Sequence, residues 1–105
     1  MAETKPIIRF SFARLKEAWH QLSEEEQVEF MRKDREKLDE LGCTFTTYDC
    51  SWSNEEWQFI AVEEWPTMEA IEKVVKFHAE ELGLAKYVDS KTYLGTLVAE
   101  DYGNE

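Results

Sequence analysis

Few residues in this chain have both the chemistry and the spacing to form a site. His78 lies in the stretch WPTMEAIEKVVKFHAEELGL, residues 65–84. At about 100° per residue, Ala70, Ile71, Val74, Val75, Phe77, Ala79 and Leu82 share one broad helix side, and His78 falls near its middle. An imidazole held in an apolar pocket can act as a general base. The competing reading is a neutral core histidine with one satisfied hydrogen bond. Asp34 poses the same question on an earlier helix. It interrupts an apolar stripe of Phe30, Met31, Leu38 and Leu41, with Val28 at its edge. A core-facing carboxylate is costly unless paired. It could orient His78 as carboxylates hold imidazoles, or meet Arg9, Arg14 or Lys37 in an ion pair.

Tyr48 and Tyr93 fall in strand-like segments and could each donate a phenol hydrogen to a carbonyl, or simply pack with wet hydroxyls. Arg9 could bind a substrate carboxylate or enolate, or pair with Glu63 across a sheet. Trp19, Trp57, Phe59 and Trp65 could wall a flat aromatic pocket or fill core and interface. His20 reads as a surface residue. The expected site is therefore His78, Asp34, Tyr48 and Tyr93 for catalysis, with Arg9 and the four aromatic residues for binding.

The elements that must carry these residues can be read in order. Ile7 to Leu15, IIRFSFARL, alternates with Ile8, Phe10 and Phe12 on one face and Arg9, Ser11 and Ala13 on the other, as in a half-buried strand. KEAWHQL has the spacing for one or two helical turns. S-E-E-E at Ser23–Glu26 is a capping box that opens a long helix, which Gly42 closes. Cys43–Trp52 reads as a strand, Ser53–Glu56 as a turn and Trp57–Trp65 as the returning strand of a hairpin. Pro66 and Thr67 then open the His78 helix, and Gly83 closes it. Residues 84–90 connect to a last strand, Lys91–Ala99, and an acidic tail.

The order β-α-β-β-α-β predicts a ferredoxin-like α+β fold. Two right-handed crossovers place both helices on one face of a four-stranded antiparallel sheet. The other face is bare and is expected to carry Trp57, Phe59, Trp65 and Tyr93. Such a face needs a cover, and a second copy of the chain is the simplest one.

Composition narrows the functions. With 105 residues the chain is one domain, its ordered core expected at about residues 6–99. A content of 43% hydrophobic residues argues against disorder. The net charge of −11 argues against nucleic acid and anionic membranes as partners. No apolar run is long enough to span a bilayer, and the N-terminus lacks a signal peptide's apolar region, so a cytoplasmic protein is expected. Cys43 and Cys50, seven apart in one expected strand, would lie roughly 23 Å apart and could not bridge. Unpaired thiols fit a reducing compartment. No Gly-rich phosphate loop or Cys/His metal cluster is present, so no cofactor and no metal is expected. Haem would need His78 or His20, the two imidazoles of the chain, as its axial ligand.

Over roughly Ile7 to Ala99 this architecture resembles the dimeric α+β barrel superfamily. Within it, Trp19, Leu22, Ser23 and Glu26 are similar to the entrance of the first helix in darcynin-type proteins, although His20 and Gln27 depart from that pattern. The resemblance implies a homodimer with sheets packed face to face and a ligand pocket between sheet and helices. It implies a broad range of activities: cofactor-independent monooxygenases, polyketide cyclases, lactone isomerases, haem-degrading enzymes and members without activity. Some polyketide cyclases of this type use a helix histidine with a tyrosine; His78 could play that part, but their His-Pro-x-His signature is absent. The expected function is acid–base chemistry without an organic cofactor on a small, flat, mostly apolar substrate. The alternatives are a cofactor-independent monooxygenase and a non-catalytic dimer that binds a ligand or protein.

Overall fold

The computed structural model describes residues 5–98. The elements run β1 (Ile7–Leu15), α1 (Glu17–His20), α2 (Glu24–Glu40), β2 (Thr44–Asp49), β3 (Phe59–Trp65), α3 (Met68–Phe77), a π-helical turn (His78–Leu82), α4 (Leu84–Tyr87) and β4 (Val88–Gly95). The sheet has the strand order β2-β3-β1-β4, with every neighbouring pair antiparallel. This is the ferredoxin-like α+β arrangement, with α2 and α3 as its main helices.

The helix boundaries follow from local chemistry. Ser23 Oγ accepts from the Glu26 amide at 3.1 Å, and the Glu26 carboxylate accepts from the Ser23 amide at 2.8 Å. The Ser23 amide, and then the Ser23 hydroxyl, hold the Glu26 carboxyl below its ordinary range. Thr67 caps α3 by accepting from the Ala70 amide at 3.1 Å. Gly42 and Gly83 end their helices at φ 79° and 65°, the left-handed region where a side chain is strained.

Between the sheet and the helices lies a core of Leu38, Cys43, Trp65, Ala70, Ile71 and Val74, with Ile7, Leu41 and Phe45 packed against it. A second aromatic cluster joins α1, α2 and α4. There Trp19 meets Phe30 at 5.2 Å and Phe30 meets Tyr87 at 5.4 Å, edge to face.

Several expectations are corrected. Trp65 does not face the bare side; it is fully buried on the helix-covered side, beside Glu63. Phe59 pairs with Ala13 and so shares that covered face. Trp57 and Tyr93 do lie on the bare side, where both rings meet Phe12, at 6.1 and 6.3 Å. The change of face within β3 has a local cause. The Gln58 amide donates to the Ala13 carbonyl at 3.0 Å although Ala13 is already opposite Phe59, so two residues face one, and Trp57 falls out of the strand's alternation; the Gln58 side chain accepts from the Leu15 amide at 2.7 Å. In α2, Met31 and Val28 point to solvent and Asp34 and Lys37 take inward positions. Val75 is half exposed. Cys43 and Cys50 flank β2 rather than lying within it, and both are free thiols.

The covered and open faces divide in an unusual way. Arg9 and Glu63 are buried under the helices, while Ile8, Phe10, Phe12, Ile60, Val62 and Tyr93 share the open face by register. Both faces thus carry large apolar side chains, with Ile7, Phe45, Phe59 and Trp65 on the covered one.

Candidate functional site

The two inward polar residues of the helices meet. His78 Nε2 lies 2.6 Å from Asp34 Oδ1, joining the first residue of the π-helical turn to the middle of α2. Both side chains are largely shielded, 14% exposed for His78 and 31% for Asp34. The change from α to i→i+5 hydrogen bonding at His78 is the kind of local irregularity that often marks functional positions. Here it begins at the residue whose imidazole turns inward.

A second polar pair lies beneath the first. Arg9 Nε is 3.6 Å from Glu63 Oε1, and the two residues are direct cross-strand partners. The same Glu63 oxygen accepts from Trp65 Nε1 at 2.9 Å. Burial pushes the Glu63 carboxyl above its ordinary range, against the opposing pull of Arg9, the Trp65 hydrogen bond and His78. Cys43, close by, is held as a thiol: burial, reinforced by the Glu63 charge, raises its pKa to about 12.

A cavity of about 530 Å³ opens between this face of the sheet and the π-helical turn. Its helix wall is Val75, His78, Ala79, Leu84 and Ala85. Its strand wall is Arg9, Val88, Ser90 and Thr92, with Lys16 and Asp89 at the margin. Thus His78 and Arg9 reach the same space from opposite layers. Lys16 donates to the Ala85 carbonyl at 2.9 Å, and Asp89 is paired with Arg14 at 3.3 Å.

The other expected site residues are not gathered here. Tyr48 pairs with Ile60 and Tyr93 with Phe10, which puts both phenols on the open face, opposite to His78. Trp57 is on that open face, and Trp19 is in the α1/α2/α4 cluster. Trp65 and Phe59 are on the covered side, Trp65 acting as donor to Glu63. His20 is exposed at the end of α1. Glu63 is the site member that a reading of the sequence placed only as a partner for Arg9. Its signal was the register, since a strand residue directly opposite Arg9 must share its face. Among the described residues no cluster of His, Cys, Asp and Glu could hold a metal ion, and no helix is long and apolar enough to cross a membrane.

This architecture defines the class by fold: a ferredoxin-like α+β fold, a four-stranded antiparallel sheet with helices on one face. Among solved structures, the chain is similar to a variant of chlorite dismutase from Candidatus Nitrospira defluvii, at TM-score 0.73 and 13% identity, over 98% of this chain and 44% of that one. It is similar to a putative chlorite dismutase, TA0507, at TM-score 0.71 and 19% identity over 93% and 47%. A heme-binding protein from Thermus thermophilus matches at TM-score 0.76 and 12% identity over 95% and 43%. The chain therefore spans a little under half the length of each. Identities this low establish the shared fold and nothing finer. No family model and no curated protein sequence matches the chain, and no finding bears on the darcynin likeness.

Proposed function

We propose that this protein is a small-molecule enzyme that moves a proton at His78, in the cavity between sheet and helices. The observation that carries the reading is the 2.6 Å contact of His78 Nε2 with Asp34 Oδ1 at the wall of a cavity that Arg9 also lines. With Nε2–H donating to the carboxylate, Nδ1 is the basic nitrogen, and Asp34 fixes both the tautomer and the ring's orientation. Arg9 would face negative charge on the substrate, whether a carboxylate it already carries or charge that grows on an oxygen when a neighbouring carbon loses its proton. Cyclisation, isomerisation and elimination all pass through such a step. The apolar helix wall suits a small, mostly apolar substrate. Two free cysteines fit a reducing, cytoplasmic setting.

The working unit in this reading is a homodimer. The open face presents Phe10 at 36% exposure and Tyr93 at 51%, with Phe12 between Trp57 and Tyr93. A second copy packed on it by a two-fold axis would cover that surface.

A second reading is haem binding, favoured by the heme-binding and chlorite dismutase structures that share the fold. The donor set fits. His78 is an imidazole with one nitrogen held by a carboxylate, the arrangement that orients metal-ligating histidines, and Arg9 and Lys16 could meet a haem's carboxylates. Haem bound there would supply redox chemistry at its iron.

Exchange of α-protons in D2O separates the readings, with acetophenone as a small enolisable probe followed by NMR. The proton-transfer reading expects exchange accelerated by the protein, abolished in His78→Ala and slowed in Asp34→Asn. Equal rates with and without His78 would overturn it. A saturable hemin complex whose absorption spectrum depends on His78, without any exchange activity, would establish the second reading in its place.

A further inference from the structure

Arg9 is a buried cation with unused capacity. Its side chain is 9% exposed in the covered face of β1. A guanidinium carries five N–H donors, and buried donors are normally satisfied. Its counter-ion is poorly placed. Glu63 Oε1 lies 3.6 Å from Nε, beyond hydrogen-bond length, and is already occupied by Trp65 Nε1 at 2.9 Å. Arg9 Nε has no hydrogen-bond partner among the described residues. This half-compensated charge borders the cavity. The other cation there, Lys16, is spent on the Ala85 carbonyl.

Resting on the reading of this cavity as the ligand site, we propose that Arg9 anchors the carboxylate of a small monoanionic ligand, whose apolar body lies against Val75, Ala79, Leu84 and Val88. A planar fork of N–H groups matches a carboxylate's two oxygens. The charges nearby select a single negative charge. Glu63 and Asp34 stand behind Arg9, while Lys16 is tied to the Ala85 carbonyl and Asp89 is paired with Arg14 at the margin, so at the guanidinium a dianion such as phosphate meets more carboxylate repulsion than a monoanion does. The carboxylate end on Arg9 leaves the body of the ligand toward His78 on the facing wall.

The test is an NMR titration of the isotope-labelled protein with benzoate, with its uncharged counterpart benzamide and with inorganic phosphate. Benzoate is expected to shift the amides of residues 79–92 and to bind at least roughly tenfold tighter than benzamide, as a charge-assisted hydrogen bond in a shielded site would give. Phosphate is expected to leave those amides unmoved at the same concentration. Glu63→Gln should tighten benzoate, because Arg9 loses its competing carboxylate. Arg9→Gln should erase the preference; the double variant Arg9→Gln with Glu63→Gln keeps the face uncharged if the single variant fails to fold, and it should show none either. Equal binding of benzoate and benzamide in the cavity, or a preference that survives loss of Arg9, overturns the anchor while leaving the cavity a ligand site. Phosphate binding as tightly as benzoate also overturns it. Shifts confined to residues outside the cavity overturn both the anchor and the reading beneath it.

Discussion

Phe12 is the residue on which the open face can be tested most sharply. It lies at the centre of β1, its ring 6.1 Å from Trp57 and 6.3 Å from Tyr93. It is half-buried in one protomer and contributes nothing to the core between sheet and helices. Phe12→Asp should therefore leave the protomer folded. In a two-fold dimer the same substitution appears twice in one interface. Each carboxylate would lose water without gaining a partner, at a cost of about 3 kcal/mol, so the pair costs about 6 kcal/mol. That corresponds to roughly a 10⁴-fold weaker dimer. Sedimentation equilibrium across protein concentration reads this directly, with far-ultraviolet circular dichroism as the check on folding. The net charge of −11 per chain adds a second contrast. Phe12→Lys lowers the mutual repulsion of the protomers, yet it should break the dimer nearly as well, because desolvation dominates. Added salt should tighten the wild-type dimer by screening that repulsion. A wild-type protein that stays monomeric at high concentration, or a folded Phe12→Asp protein that stays dimeric, would refute the reasoning.

Two further outcomes follow from the buried groups. Glu63 has its folded-state carboxyl pKa raised, by burial first, with Arg9, Trp65, His78 and Asp34 facing it. Its contribution to stability is therefore full below the unfolded pKa of about 4.3 and is lost as pH rises through the raised folded value. Urea unfolding of wild type and Glu63→Gln from pH 4 to pH 8 should show wild type losing ground relative to the variant as pH rises; a difference that does not change with pH would contradict it. Cys43, with its pKa near 12 and its side chain buried, should resist thiol reagents at pH 8 while Cys50 reacts. A reagent count of one thiol in the native protein and two in denaturant checks this, and two in the native protein would refute it.

How much of this was legible in the sequence depended on whether a residue's neighbours shared its period. Asp34 and His78 each stood out as a polar residue on an apolar helix side, and the structure brings them together. The Ser23–Glu26 box and the Gly83 stop were local signals whose bonds and angles are formed within a few residues. Sheet faces were harder to read. The alternation of β1 was correct, but which face the helices cover depends on partners far along the chain, so Arg9 ended buried and Phe10 exposed. Trp57 and Trp65 share parity in the sequence yet lie on opposite faces, because Gln58 and Phe59 both stand opposite Ala13. Tyr48 and Tyr93 have the chemistry to join His78 in a site, and only strand register separates them from it. The inward position of Asp34 in place of Met31 goes with its contact to His78 on a separate helix, which no helical periodicity encodes.

The proposed site requires that Asp34 hold His78 through Nε2 and leave Nδ1 free to act in the cavity. Two-bond ¹H–¹⁵N correlation of the neutral imidazole reads the tautomer without any substrate. His78 is expected to be protonated at Nε2 and bare at Nδ1, and Asp34→Asn to change both ring nitrogen shifts. A neutral ring protonated at Nδ1, or ring shifts indifferent to Asp34, would contradict it.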